Sequence, residues 1–317
     1  MKIALYDVDS AKVPNLALMK LARYHRECGD EVVMFDPKAP LLHSDADRVL
    51  ASKVFTFSPA PYMHSGMEIG GTGWDMGVSL PHEIEALRPD YSIYPDRQQA
   101  NLGFTMRGCR FRCDFCVVPK KEGQPYSTHT IDDLMVLDTN RLILLDNDPF
   151  GNPEWPDRIA EMRDRKLRVC FSQGINIRII SEEQAAALAS VRFTNLRDSK
   201  NQATFAWDRP KDERLILRGI ERCKAAGIKP WQMQFFVLIG FDSTPEEDLH
   251  RIEMLLAQGC DPYVMPYDKT VHYQRALARF VNARIAKKTP WMKYEYGGWK
   301  TSRDLPMYVA EIERKAA

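Results

Sequence analysis

Leu102-Gly103-Phe104-Thr105-Met106-Arg107-Gly108-Cys109-Arg110-Phe111-Arg112-Cys113-Asp114-Phe115-Cys116 is the stretch from which the rest of the chain can be ordered. Residues 102–106 read as a strand, and three thiols follow at the spacing C-x3-C-x2-C, where a βα barrel keeps its active site. Three thiolates this close repel one another unless a metal neutralises them, and sulfur donors at this density suit zinc or an iron–sulfur centre. A structural zinc needs a fourth ligand and would recruit His129 or another cysteine. Three ligands with no obvious fourth instead leave a cubane with one open iron, which is a site for chemistry more than for passive electron transfer.

Working outward, 141–145, 168–172, 192–195, 232–239 and 262–265 read as further strands, with helices around 130–137, 155–165, 181–189, 211–226 and 245–258. Thr244-Pro245-Glu246-Glu247 is a helix start: Thr caps, Pro takes the first position and acids fill the first turn. Six βα units over 101–267 predict an α/β fold with a partial (β/α)6 TIM-like barrel. Upstream, 2–7 reads as a strand, 14–28 as a helix stopped by Gly29, 31–35 as a strand, 46–50 as a short helix and 53–57 as a third strand. Residues 1–60 are therefore expected to form a small doubly wound, Rossmann-like domain whose ligand edge lies near Asp7, Val8, Asp9 and Ser10. Residues 61–100, rich in proline and turns, are expected to be a linker packed on the barrel. Within it Gly70-Gly71-Thr72-Gly73 lacks a Walker lysine and reads either as a structural turn or as a wall of the site.

Composition narrows the function classes without choosing one. The 317 residues carry 44 Lys and Arg against 43 Asp and Glu, so charge alone favours neither nucleic acid nor an anionic membrane as partner. No apolar run approaches the roughly 18 residues of a membrane span. The chain opens with no basic leader and apolar core, and the expected location is cytoplasmic. An odd count of 7 cysteines, three of them clustered, does not suit a disulfide framework. Cys170 and Cys260, in or beside expected strands, read as core residues. The last segment, 268–317, holds eleven Lys and Arg against five Asp and Glu, with Trp291, Tyr294, Tyr296 and Trp299 among them. It suits unpaired bases of a nucleic-acid substrate, or serves as a cover whose aromatics are packing.

The motif Cys109-x3-Cys113-x2-Cys116, with Phe115 just before its last cysteine, resembles the signature of the radical S-adenosylmethionine (SAM) superfamily. The segment from Thr105 to Cys116 is similar to the form found in members with an N-terminal cobalamin-binding-type domain. The likeness spans roughly 100–270 and, more loosely, 1–60. It implies that Cys109, Cys113 and Cys116 hold a [4Fe-4S] cluster that cleaves SAM reductively to a 5'-deoxyadenosyl radical. An electron donor such as flavodoxin or ferredoxin is then implied as a partner. It further implies SAM contacts from Phe115, from Asp146, Asn147 and Asp148 after the second barrel strand, and from Gln173 and Arg178 after the third. Gly240 and Met265 fall where the family contacts adenine. Cobalamin finds no ligand histidine in Asp7-Val8-Asp9-Ser10-Ala11-Lys12-Val13-Pro14, so that cofactor is not supported by a ligand. The competing readings are a cobalamin-dependent radical SAM methylase and a non-catalytic iron–sulfur or zinc protein. The substrate is not written in the sequence.

Overall fold

Strand β1 (Lys2–Asp7) is apolar and buried from Ile3 to Tyr6, as suits a strand covered on both faces. The computed structural model describes residues 1–9 and 13–316. Helix α1 (Leu16–Glu27) follows, capped by the Asn15 side chain on the Leu18 N–H, and buries Leu18, Met19 and Ala22. β2 (Glu31–Met34), β3 (Arg48–Ser52) and β4 (Met67–Gly70) complete a four-stranded sheet of order β2-β1-β3-β4, parallel throughout. Its core gathers Ala4, Tyr6, Val8, Phe35, Val49, Ala51 and Met67.

Two expectations fail in this sheet. Of residues 46–50, expected as a helix, 48–50 belong to β3 and none is helical, and 53–57, expected as the third strand, follow it. The reason is tertiary: Val49, Leu50 and Ala51 lie buried between β1 and β4, and a strand buried on both faces has no alternation to reveal it. The stretch expected as a linker also supplies β4. Gly71, at φ +99°, explains the glycines beside it, because a Cβ there would stand 2.3 Å from the Lys53 carbonyl oxygen. The turn is a close crossing of two backbones.

The chain continues through the single-turn α2 (His82–Glu85) to β5 (Asn101–Gly103), β6 (Met106–Arg107), α3 (Val118–Lys121) and β7 (Tyr126–Ser127). Next come α4 (Ile131–Leu134), β8 (Arg141–Leu144), α5 (Trp155–Asp164) and β9 (Arg168–Phe171). β5 pairs with β8 in parallel, and β6 with β7 antiparallel. Contacts divide the chain into two units, Met1–Val169 and Cys170–Ala317, and the division falls within β9.

The second unit contains α6 (Glu182–Ser190), β10 (Arg192–Phe193), β11 (Ala203–Ala206), α7 (Glu213–Ala225), β12 (Met233–Ile239), α8 (Pro245–Ala257) and β13 (Asp261–Pro266). β11, β12 and β13 form a parallel sheet in that order, with α7 and α8 as the crossovers. The Thr244 cap expected for α8 is present, with Glu247 returning a carboxylate to the Thr244 N–H at 2.8 Å. β11 has no counterpart among the strands expected from the sequence. α9 (His272–Asn282), the hairpin of β14 (Glu295–Tyr296) and β15 (Trp299–Lys300), and α10 (Thr301–Ala316) end the unit. Here Trp291, Tyr294 and Trp299 are buried, and Trp291 and Tyr294 stack on each other and meet Phe280 at a tilt. The architecture is thus mixed α/β with parallel sheets. Among the described residues no helix is long and apolar enough to cross a membrane.

Candidate metal centre

The three clustered cysteines lie on an excursion between β6 and β7, and the neck of that excursion is closed by hydrogen bonds. The Cys109 N–H donates to the Gly123 carbonyl at 3.1 Å, and the Gly108 N–H donates to the Glu122 carboxylate at 3.0 Å. Gly108 adopts φ +78°, and a Cβ on it would stand 2.2 Å from the Gln124 carbonyl oxygen. Only glycine lets the two sides of the neck cross here.

Within the loop Cys109, Cys113 and Cys116 are all half-buried and outside any disulfide. The Phe111 N–H donates to the Cys109 sulfur at 3.5 Å, and the Cys116 N–H donates to the Cys113 carbonyl at 3.0 Å. Burial pushes the Cys109 thiol up to about 11, helped by the charges of Asp148, Cys113 and Cys116. The Cys109 thiol therefore holds its proton at neutral pH until a cation favours the thiolate. Among the described residues no three His, Cys, Asp or Glu side chains converge on a common point as metal ligands do, the loop thiols included. The fit to a metal centre accordingly rests on the donor set: three soft sulfurs on one loop, with a backbone N–H directed at one of them. His129, the candidate fourth ligand, lies instead near Lys20, Glu85 and Asp133, and burial lowers its affinity for a proton.

The turn after β8 is tied to this loop. Asp146 is buried and accepts from the Thr105 N–H at 2.7 Å, the Met106 N–H at 3.3 Å and the Thr105 hydroxyl. Asn147 donates to Glu122 at 3.0 Å. Asp148, also buried, receives Arg110 in a two-pronged pair at 2.6 and 2.9 Å. Arg107 lies with its guanidinium 3.6 Å from the Phe104 ring centre and bridges Glu85 at 2.7 Å and Glu122 at 2.9 Å. The buried Lys20 of α1 reaches Glu85 at 3.2 Å, which extends the charge chain to that helix. Sequence reading missed Thr105, Arg107, Arg110 and Glu122, because their partners lie 14 to 41 positions away.

Phe115 is half-buried between the second and third cysteines. The other sequence-derived candidates belong to the second unit and bond to different neighbours. Gln173 is exposed and donates to Ser172 at 3.4 Å. Arg178 pairs with Asp212 at 2.9 Å and donates to Asn176 at 3.1 Å. Gly240 packs so closely on Gln274 that a Cβ would lie 2.0 Å from its amide nitrogen. Met265 stands 43% exposed on β13. Cys170, Cys223 and Cys260 are buried.

At the carboxyl edge of the N-terminal sheet, Asp7 accepts from the Tyr94 hydroxyl at 2.9 Å. Asp9 accepts from the Val54 and Phe55 N–H groups at 2.5 and 3.2 Å. Ser10, Ala11 and Lys12, part of the expected ligand edge and of the loop read for cobalamin, lie outside the described residues.

The Asp146 carboxyl carries a pH signature. Burial pushes it from 3.8 up to about 7, against the downward pull of its bonds from Thr105 and Met106. Between those values the folded protein keeps a proton that the unfolded chain has released, so this group lowers stability as pH rises. Asp146→Asn removes the titration and retains acceptors for the two N–H groups. Its urea midpoint is expected to vary less than the parent's across this window, and parallel pH profiles for the two proteins would contradict the assignment.

A scan against protein-family models finds no match, and a search of curated proteins finds none either.

Proposed function

We propose that the protein is a radical SAM enzyme, with Cys109, Cys113 and Cys116 holding a [4Fe-4S] cluster. The observation that supports this reading is the closed loop bearing three half-buried cysteines. A three-cysteine donor set suits a cluster with one iron left for a small molecule better than it suits a closed four-ligand zinc. When bound, the cluster supplies one electron to the sulfonium of SAM and so a 5'-deoxyadenosyl radical.

The chain's own residues orient and shield. Phe115, half-buried and next to Cys116 in the sequence, adds apolar surface to the loop, and the Phe111 N–H stabilises negative charge on the Cys109 sulfur. The resemblance assigns Gln173 and Arg178 to the polar groups of SAM, and Gly240 and Met265 to the adenine. In this reading β5, β8, β9, β10, β12 and β13, with their helices and with β11 as an additional strand beside β12, build a partial TIM-like barrel, supported by the recurring strand–helix order and the parallel pairing within each unit. The reductant is a separate electron donor of the flavodoxin or ferredoxin kind.

The test is anaerobic reconstitution with iron and sulfide. The parent is expected to retain roughly four iron and four sulfide per chain, and a variant with all three loop cysteines changed to alanine is expected to retain none. A single tightly held zinc in the parent, with no acid-labile sulfide, would contradict the proposal.

A further inference from the structure

We infer that the turn Asp146-Asn147-Asp148 is a three-point clamp on the cysteine segment, in which Asp148 acts as a positioning residue through Arg110. The inference rests on the cluster reading above and assigns this turn to the loop and not to SAM.

The three side chains grip the segment before, inside and after the cysteines. Asp146 takes the Thr105 and Met106 N–H groups just ahead of the neck, at 2.7 and 3.3 Å. Asn147 binds Glu122 just behind it, and the same carboxylate oxygen receives the Gly108 N–H, each at 3.0 Å. Asp148 reaches between the first two cysteines to Arg110, whose guanidinium meets both carboxylate oxygens in parallel.

The seat of this last pair is shaped for it. Asp148 is 1% exposed. A Cβ on Gly151 would stand 2.3 Å from its Oδ2 and 2.9 Å from the Arg110 Nε, so a larger residue there would occupy the space of the pair. The Asp148 carbonyl also accepts the Gly151 N–H at 2.7 Å, which fixes the turn that presents the carboxylate. A buried carboxylate already receiving two guanidinium N–H groups is poorly placed to receive an ammonium as well. Its physical consequence is to fix Arg110, and with it the backbone joining Cys109 to Cys113. Groups that orient metal ligands in this indirect way commonly alter metal affinity roughly 10–100-fold when removed.

The decisive experiment follows iron release to a chelator from reconstituted parent, Asp148→Asn, Arg110→Gln and the double variant, without SAM. Each single variant is expected to lose iron roughly 10–100-fold faster than the parent. The double variant is expected to be no faster than the worse single one, because both remove the same clamp. The reduced cluster of each variant should also show an altered EPR spectrum before SAM is added. Arg110 is 35% exposed, so Arg110→Lys, which keeps the charge and loses the two-pronged geometry, is tolerated by the fold and should release iron at an intermediate rate. Unfolding of the apoproteins in urea separates this effect from a general loss of stability.

Variants that hold iron as the parent does, and differ only in SAM affinity, overturn the inference and return Asp148 to the ligand. Single effects that multiply in the double variant also overturn it. A parent that binds no cluster at all overturns the cluster reading together with the clamp, and is distinguished from the other outcomes by the parent alone.

Discussion

Asp248→Ala is expected to destabilise the unit Cys170–Ala317 by about 3–5 kcal/mol, the range for breaking one partner out of a buried ion pair. Asp248 and Arg251 are both 0% exposed and pair at 2.6 Å. Arg251 also donates to the Trp207 carbonyl at 3.0 Å and the Leu238 carbonyl at 2.8 Å, which ties α8 to the end of β12 and to the residue after β11. Asp248 accepts from Ser243 at 2.5 Å and from the Tyr273 hydroxyl of α9 at 3.1 Å. Burial raises the Asp248 carboxyl's affinity for its proton, and the bonds from Ser243, Arg251 and Tyr273 oppose that rise. Removing the carboxylate leaves a guanidinium out of reach of water without its hydrogen-bonded partner, and only the more distant charge of Asp208 remains to offset it. Urea unfolding should show a lowered midpoint at an unchanged slope, and a change under about 1 kcal/mol would contradict the account. Asp248→Asn, which keeps shape and some hydrogen bonds, should fall between parent and alanine variant.

Gly108→Ala is expected to open the neck of the cysteine loop. The left-handed backbone alone costs a non-glycine residue roughly 1–3 kcal/mol. Beyond that, the new Cβ would lie 2.2 Å from the oxygen and 2.6 Å from the carbon of the Gln124 carbonyl, and backbone cannot rotate away as a side chain does. Gly123→Ala is the matched control, with φ +74° and nothing within 4 Å of its Cβ. Both variants meet the conformational cost, but only Gly108→Ala must break the bonds from Gly108 to Glu122 and from Cys109 to Gly123. Iron retention after reconstitution should therefore fall much further for Gly108→Ala than for Gly123→Ala. Equal losses would show that the neck does not control the loop.

The parts of the fold that were legible in the sequence are those that announce themselves locally. β12 alternates buried and half-buried positions, and the cap of α8 is written in Thr244, Pro245 and Glu247. The thiol spacing needs no partner to be seen. β3 was misread because Val49-Leu50-Ala51 has neither the strand period nor the helix period, and only its neighbours β1 and β4 decide the matter. β11 escaped because Ala203-Thr204-Phe205-Ala206 is short and holds two alanines, while its pairing partner begins thirty residues later at Met233. At the candidate site the acids of Asp146-Asn147-Asp148 could be located from sequence, but not their partners. Arg110 lies 38 residues from Asp148, and a surplus of charge in a loop does not say which acid will meet it. Long-range electrostatic pairing is fixed by the folded chain and carries no periodic signal.

The measurement that bears most directly on the central claim is the product of SAM. Reconstituted parent protein, SAM and a low-potential reductant are incubated without oxygen, beside the variant lacking Cys109, Cys113 and Cys116, and 5'-deoxyadenosine is quantified by mass spectrometry. The account predicts 5'-deoxyadenosine from the parent and none above background from the variant. A parent with a confirmed cluster that neither binds SAM nor forms 5'-deoxyadenosine would contradict it.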